Sequence, residues 1–145
     1  MPTIATYIAF PGNAAEAFEH YAEVLGGDLH LLRYGDMPPM PGMPFEPEPQ
    51  HVAHAVLTAL GGVIAGGDAM GDEDHPLRDT AYSMLLTIDT VDEARAVFEK
   101  FVDGDGSVNS PLELAPWGDH YGQVFDRFGV MWAINVEGAP PAQVG

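Results

Sequence analysis

The order of secondary-structure elements predicted for this chain occurs twice. A strand, a helix and three further strands are expected in the first half, and the same order starts again in the second half. Glu16 in the first helix corresponds to Glu93 in the second, and the hairpin residue Gly62 corresponds to Gly129. One such unit cannot bury both faces of its own sheet, so the repeat constrains the fold more strongly than any single motif.

The two copies divide the chain into a first module of about residues 1–69, a second of about residues 80–138 and a C-terminal tail, 139–145. At 145 residues the chain has the usual size of one domain, so we expect a single domain over residues 1–145. Each sheet buries one face beneath its helix, and the other faces are expected to pack together or to enclose a small molecule. The predicted fold class is α+β.

Both predicted helices are preceded by a start signal. Asn13 comes before the first helix with Glu16 three residues later, and Thr90 comes before the second with Glu93 three residues later. This spacing is typical of a capping box, so we expect one at each helix.

The first copy carries an insertion rich in proline and methionine, residues 37–49. Proline there excludes both a helix and a central strand, so the segment is predicted to be a loop. Its methionines, Met37, Met40 and Met43, are soft side chains that suit either a lid over a ligand or an arm packed on a second subunit.

The composition excludes several classes of function. Five Lys and Arg residues against 22 Asp and Glu residues give a formal charge of -17, which repels nucleic-acid phosphates and anionic membranes. The chain has no cysteine, so disulfides, thiolate metal sites and a cysteine nucleophile are not available. There is no apolar segment of membrane-spanning length and no recognisable leader, so a cytoplasmic protein is expected.

Five segments in register resemble the vicinal oxygen chelate superfamily, which includes glyoxalase I and the bleomycin- and fosfomycin-resistance proteins. The likeness is to its PhnB-like branch, also labelled 3-demethylubiquinone methyltransferase-like. The segments that carry it are Tyr7-Ile8-Ala9-Phe10-Pro11-Gly12-Asn13-Ala14, Tyr21-Ala22-Glu23-Val24-Leu25-Gly26-Gly27, His54-Ala55-Val56-Leu57, Trp117-Gly118-Asp119-His120-Tyr121-Gly122 and Asp126-Arg127-Phe128-Gly129-Val130-Met131-Trp132. The resemblance implies paired βαβββ modules with a concave mixed sheet, a homodimer and a small-molecule cavity.

Enzymes of that superfamily hold a divalent metal by His, Glu or Gln side chains on the first and last strands of each module. Transferred to this sequence, those positions fall on Thr6, Gly66, Ser83 and Ala133, none of which is a competent ligand. This departure from the ligand pattern of the superfamily predicts a protein without a metal cofactor. The alternative is a displaced metal site that uses His54, Asp68 and Glu137, which would belong to a lyase, isomerase or dioxygenase.

Successive side chains of a strand point to opposite faces of the sheet, so this register predicts which residues face the cavity and are candidate ligand contacts. Thr6, Ile8 and Phe10 of the first strand are predicted to face the cavity, whereas Tyr7 and Ala9 are predicted to lie beneath the helix. The complete list of predicted ligand-binding residues is Thr6, Ile8, Phe10, His54, Val56, Ser83, Leu85, Trp117, Tyr121, Gln123 and Asn135.

Four aromatic or imidazole side chains lead to more specific expectations. His54 and Tyr121 occupy corresponding positions and would be polar groups in an apolar cavity, although a hydrogen-bonded core histidine is an equal alternative for His54. Trp117 can stack on a ligand at the cavity edge, whereas Trp132 is expected in the core. The hypothesis is a metal-free homodimer that binds a partly aromatic or amphipathic small molecule for sequestration or resistance.

Overall fold

In the computed structural model the described residues are 2–38, 42, 47–69 and 76–138. They form two compact units, Met1–His75 and Pro76–Gly145. Each unit has one helix and a four-stranded mixed sheet, so the repeat of two βαβββ modules is confirmed. The predicted loop residues Met40 and Met43, the second loop around residues 70–75 and the tail 139–145 lie outside the described residues.

The first unit contains β1 (Thr6–Phe10), α1 (Ala14–Leu25), β2 (Asp28–Arg33), a short 3-10 helix (Tyr34–Asp36), β3 (Val52–Ala59) and β4 (Gly62–Asp68). Its sheet, called sheet one, has the strand order β1-β4-β3-β2, in which only the β1–β4 pair is parallel. The hairpin between β3 and β4 turns through Leu60 and Gly61, which both have positive φ angles. Two such residues are typical of the tight turns that join antiparallel strands.

The second unit contains β5 (Met84–Thr87), α2 (Val91–Asp103), β6 (Ser107–Leu114), β7 (His120–Phe125) and β8 (Met131–Val136). Its sheet, called sheet two, has the order β5-β8-β7-β6, and β5–β8 is its parallel pair. Both sheets therefore place the first and last strands of the module side by side, with the first strand at one edge of the sheet. This arrangement brings together the two strands of each module that hold the metal in the enzymes of the resembling superfamily.

Aromatic side chains form the core between each helix and its sheet. In the first unit the ring of Phe10 packs edge-on against Phe18, with centroids 5.8 Å apart, and both rings contact Tyr21. In the second unit Trp132 stacks on Phe101 of α2 at 4.9 Å. All five of these side chains are fully buried, so each helix is fixed to its sheet by a small aromatic cluster.

The two helix starts differ from each other. Thr90 accepts a hydrogen bond from the Glu93 backbone N–H at 3.2 Å, and its hydroxyl donates to the Glu93 carboxylate at 3.0 Å, which confirms a cap at α2. The corresponding expectation for Asn13 is wrong, because its side chain makes no capping hydrogen bond. Asp68, at the end of β4, accepts the hydrogen bond from the N–H of Ala14 instead. A residue distant in sequence has taken over the function of the cap.

Candidate functional site

Each sheet has one face beneath its helix and an opposite face, here called the distal face. On sheet one the distal face carries Tyr7 and His54, whose rings stack with centroids 6.3 Å apart. His54 is exposed, and Tyr7 is 59% exposed. The alternative of a buried core position for His54 is therefore wrong in this structure. Gly67 lies beside them, and its missing side chain leaves room for the Tyr7 hydroxyl, which would be 3.3 Å from an added Cβ.

The distal face of sheet two carries a hydrogen-bonded row of polar side chains. The Asn109 amide donates to Oε1 of Gln123 at 2.7 Å, and Nε2 of Gln123 donates to the Tyr121 hydroxyl at 3.0 Å. Trp117, in the loop before β7, approaches Tyr121 edge-on at 6.1 Å and is 65% exposed. The row combines polar groups with an accessible aromatic ring, which is a combination suited to binding a flat ligand.

The strand pairings identify equivalent positions on the two distal faces. Val56 lies opposite Ala65 in sheet one, just as Gln123 lies opposite Ala133 in sheet two. By the same correspondence His54 matches Tyr121, as the sequence predicts. Each of these two side chains has a second aromatic ring next to it, Tyr7 or Trp117.

The predicted orientation of β1 is wrong. Phe10 and Ile8 are buried on the helix side, where Phe10 contacts Phe18, and Thr6 shares their side of the strand. Tyr7, predicted to lie beneath the helix, is on the distal face. The strand pairing explains the error. Tyr7 lies beside Ala65 in β4, and the equivalent residue of the second module, which lies beside Ala133 in β8, is Leu85. The sequence alignment of the two modules instead matched Tyr7 with the residue before Leu85, so it was wrong by one position. A shift of one residue moves every side chain of a strand to the other face.

The remaining candidate residues lie where the sequence placed them or near it. The pairing puts His54 and Val56 on the distal face of sheet one, and it puts Leu85, Tyr121, Gln123 and Asn135 on the distal face of sheet two. Ser83 is exposed and just precedes β5. Whether these residues contact a ligand remains a prediction.

Trp132 is a core residue, as expected. It is fully buried beneath α2, and its indole N–H donates to Oδ2 of Asp126 at 2.9 Å. The other carboxylate oxygen of Asp126 accepts hydrogen bonds from the backbone N–H groups of Phe128 and Val130, at 2.9 and 3.0 Å. Asp126 therefore holds the β7–β8 turn and the tryptophan together, and neither side chain is available for a ligand.

The side chains on the adjacent first and last strands of each module do not fit the divalent metal of the related enzymes. Thr6 and Gly66 belong to the helix side of sheet one, where an added Cβ at Gly66 would collide with the Ile8 carbonyl. On the distal faces the corresponding side-by-side pairs are Tyr7 with Ala65 and Leu85 with Ala133. Such pairs supply no imidazole or carboxylate, which are the ligands these metals prefer. Within residues 2–38, 42, 47–69 and 76–138, no group of three or more His, Asp or Glu side chains is placed to hold a metal ion.

The displaced metal set also fails on geometry. Asp68 is buried on the helix side of sheet one, whereas His54 is exposed on the distal face, so the two side chains lie on opposite faces. Both carboxylate oxygens of Asp68 are already engaged. Oδ1 accepts from the N–H groups of Gly12 and Ala14, and Oδ2 accepts from Val52 at 2.7 Å. Asp68 is therefore a structural residue, and the set His54, Asp68 and Glu137 is not a metal site.

Sequence reasoning missed two residues of the distal faces. Tyr7 was assigned to the wrong face. The turn at Pro11-Gly12 that follows β1 does not indicate which face of the strand is buried. Asn109 lies at an irregularity in the β6–β7 register, between Val108 and Ser110, which turns its side chain toward Gln123. Such a bulge redirects one side chain and has no reliable sequence signature, so Asn109 could not be identified in advance.

The repeated βαβββ modules, each with one helix and a four-stranded mixed sheet, define a class of proteins built from two tandem modules of this kind. The family described as Glyoxalase/Bleomycin resistance protein/Dioxygenase superfamily matches residues 3–134. The chain belongs to this superfamily, and the PhnB-like resemblance is supported by the relatives below. Members typically bind small molecules. No helix in the described part of the chain is long and apolar enough to cross a lipid bilayer.

Three relatives cover nearly the whole chain. Protein YjdN of Escherichia coli K12 is 29% identical over 153 aligned positions, which cover 97% of this chain and 99% of that protein. The crystal structure of protein PA1353 from Pseudomonas aeruginosa is 33% identical, has a TM-score of 0.79 and covers 94% of this chain and 98% of that one. The structure titled putative 3-demethylubiquinone-9 3-methyltransferase, PhnB protein, from Bacillus cereus is 25% identical, with a TM-score of 0.75 and coverage of 94% and 100%.

Proposed function

We propose that this chain is a metal-free homodimer that binds a small, partly aromatic or amphipathic molecule on the distal faces of its sheets, in a sequestration or resistance role. The observation that supports the proposal is the recurrence of one arrangement in both modules. A polar ring, His54 or Tyr121, lies next to a second exposed ring, Tyr7 or Trp117. Neighbouring aromatic rings with a few polar groups are typical of pockets that orient a mostly apolar ligand.

Charge narrows the class of ligand. A net charge of -17 disfavours anionic molecules, and Glu113 lies opposite Tyr121 in the strand register. A neutral or cationic molecule is therefore the better match for sheet two. The acidic surface also makes nucleic acid and anionic membranes unsuitable partners.

The binding proposal is tested by thermal unfolding in a broad library of neutral and cationic aromatic compounds. A ligand that binds the folded protein raises its melting temperature by mass action. For any ligand found in this way, His54→Ala or Trp117→Ala should weaken binding by about tenfold, because each removes ring contact with the ligand. The control Glu23→Ala, on the exposed side of α1, should not alter binding. If no compound raises the melting temperature, the proposal fails.

Homodimer formation is proposed from the apolar side chains exposed on the distal faces. Leu32 and Val63 on sheet one are 42% and 44% exposed, and Leu85 on sheet two is 65% exposed. Exposed apolar area of this kind is common where subunits meet. Sedimentation at micromolar concentration should give twice the chain mass of 15.5 kDa. A mass of one chain under the same conditions contradicts the dimer and leaves the binding proposal intact.

Metal independence has its own measurement. Protein purified without chelators should contain far less than one equivalent of divalent metal, and the ligand affinity found above should not change after dialysis against a chelator. One equivalent of metal bound by side chains of the distal faces would favour the alternative, a metal-dependent lyase, isomerase or dioxygenase.

A further inference from the structure

Three side chains on the distal face of sheet two form a hydrogen-bond row with a defined direction. Asn109 donates to the carbonyl oxygen of the Gln123 side chain, and the Gln123 amide nitrogen donates to the hydroxyl oxygen of Tyr121. The distances of 2.7 and 3.0 Å are those of ordinary hydrogen bonds. Every bond in the row points toward Tyr121.

This direction determines the role of the Tyr121 hydroxyl. A carboxamide has one accepting oxygen and one donating nitrogen, and Asn109 occupies the oxygen of Gln123. The nitrogen of Gln123 is therefore turned to Tyr121, whose oxygen accepts. Since a phenol has a single proton, that proton points away from Gln123. Donation along a row also polarises the last hydroxyl, which makes it a better donor.

The surroundings of Tyr121 restrict what can accept this proton. Trp117 lies edge-on to the Tyr121 ring and is largely exposed, so it offers a flat apolar surface beside the hydroxyl. Ala133, opposite Gln123 in the register, is small, and Leu85 next to it is exposed and apolar. Glu113, opposite Tyr121, disfavours a negatively charged acceptor.

We propose that Tyr121 is a hydrogen-bond donor that selects ligands carrying a neutral carbonyl oxygen on a flat ring system, with Gln123 as the residue that orients its proton. The inference deepens the proposed binding function and depends on it. It assigns Trp117 the ring contact and Tyr121 the polar contact. It also predicts that the selectivity depends on Gln123, which would not itself need to touch the ligand.

The test uses two probes of nearly the same size and shape, 1-indanone, which has a carbonyl, and indane, which does not. Affinities are measured by amide and indole NMR titration, with shifts of Trp117 and of the Gln123 side chain reporting binding at sheet two. The wild-type protein should bind 1-indanone about three- to tenfold more tightly than indane, which corresponds to one neutral hydrogen bond.

Two variants separate the donor from the residue that orients it. Tyr121→Phe removes the hydroxyl and should abolish the preference for 1-indanone. Gln123→Glu replaces the donating nitrogen by an accepting oxygen, so the Tyr121 proton turns to the carboxylate and the preference should again be lost. Binding of indane is measured in the same variants, and a loss of affinity confined to 1-indanone separates the missing hydrogen bond from a general loss of the ring contact.

Matched controls carry the same chemical changes elsewhere in the chain. Tyr82→Phe removes a hydroxyl from an exposed tyrosine of the same unit, and Gln50→Glu adds one negative charge at an exposed position of the other unit. Both should retain the wild-type preference.

Three results would overturn the inference. Equal affinity of the wild-type protein for the two probes would show that Tyr121 donates to no ligand oxygen. A preference that survives in Gln123→Glu would show that Gln123 does not orient the proton. If neither probe binds at sheet two, the proposed site around Tyr121 is wrong. The broader binding proposal is then decided independently by the library screen.

Discussion

Asp68 shows how one buried side chain can hold three segments together. It lies at the end of β4 and is 8% exposed, and its carboxylate accepts hydrogen bonds from Gly12, Ala14 and Val52. These backbone groups belong to the β1–α1 turn, the start of α1 and the point where the proline-rich loop meets β3. A buried carboxylate is stable only when such donors replace its hydration.

Asp68→Asn should lower the free energy of unfolding by about 2 kcal/mol, because the amide nitrogen that replaces one oxygen cannot accept a hydrogen bond and faces a backbone donor. Chemical denaturation measures the change. Asp28→Asn, at an exposed position, removes the same charge and should have little effect. Equal effects of the two substitutions would show that the loss of charge, rather than the loss of hydrogen bonds, controls stability.

At the level of elements, the contact between α1 and sheet one depends on a glycine. Gly66 in β4 lies beside Ile8, and the ring of Phe18 from α1 fills the space above it. An added Cβ would be 3.1 Å from the Phe18 ring and would also collide with the Ile8 carbonyl. The helix can approach the sheet this closely only without a side chain at that position.

Gly66→Ala should therefore destabilise the protein by about 1–3 kcal/mol, the usual cost of overpacking a core. Thermal or chemical unfolding provides the measurement. Gly62→Ala is a matched control in the same strand, since an added Cβ there has its nearest contact at 3.9 Å, the Ala59 carbonyl oxygen. The packing account is contradicted if the two variants are equally stable.

For the molecule as a whole, the dominant electrostatic property is its charge of -17. With five Lys and Arg residues, few of the carboxylates can be paired with a cation, so the folded chain repels itself. Dissolved salt screens that repulsion, since the Debye length falls to about 3 Å at 1 M ionic strength.

The melting temperature should therefore rise by about 3–6 °C between about 0.02 and 0.5 M NaCl. Calorimetry at neutral pH measures it, and a variant with several exposed Glu residues changed to Gln should show a smaller rise. Sucrose at equal osmolality controls for exclusion of the solute from the protein surface. A melting temperature that falls with NaCl would mean that attractive ion pairs outweigh the repulsion.

The sequence by itself determined the types and order of the elements, the tandem repeat and the superfamily, because these follow from apolar periodicity, turn residues and motifs that are local in the chain. It also placed Trp132 in the core and identified His54 and Tyr121 as corresponding positions of the two modules. Tertiary structure alone decided which face of β1 is buried, since Phe10 packs against Phe18 and strand alternation turns an error of one residue into the opposite face. The cap supplied by Asp68 and the position of Asn109 likewise depend on contacts between distant segments, which no local pattern encodes.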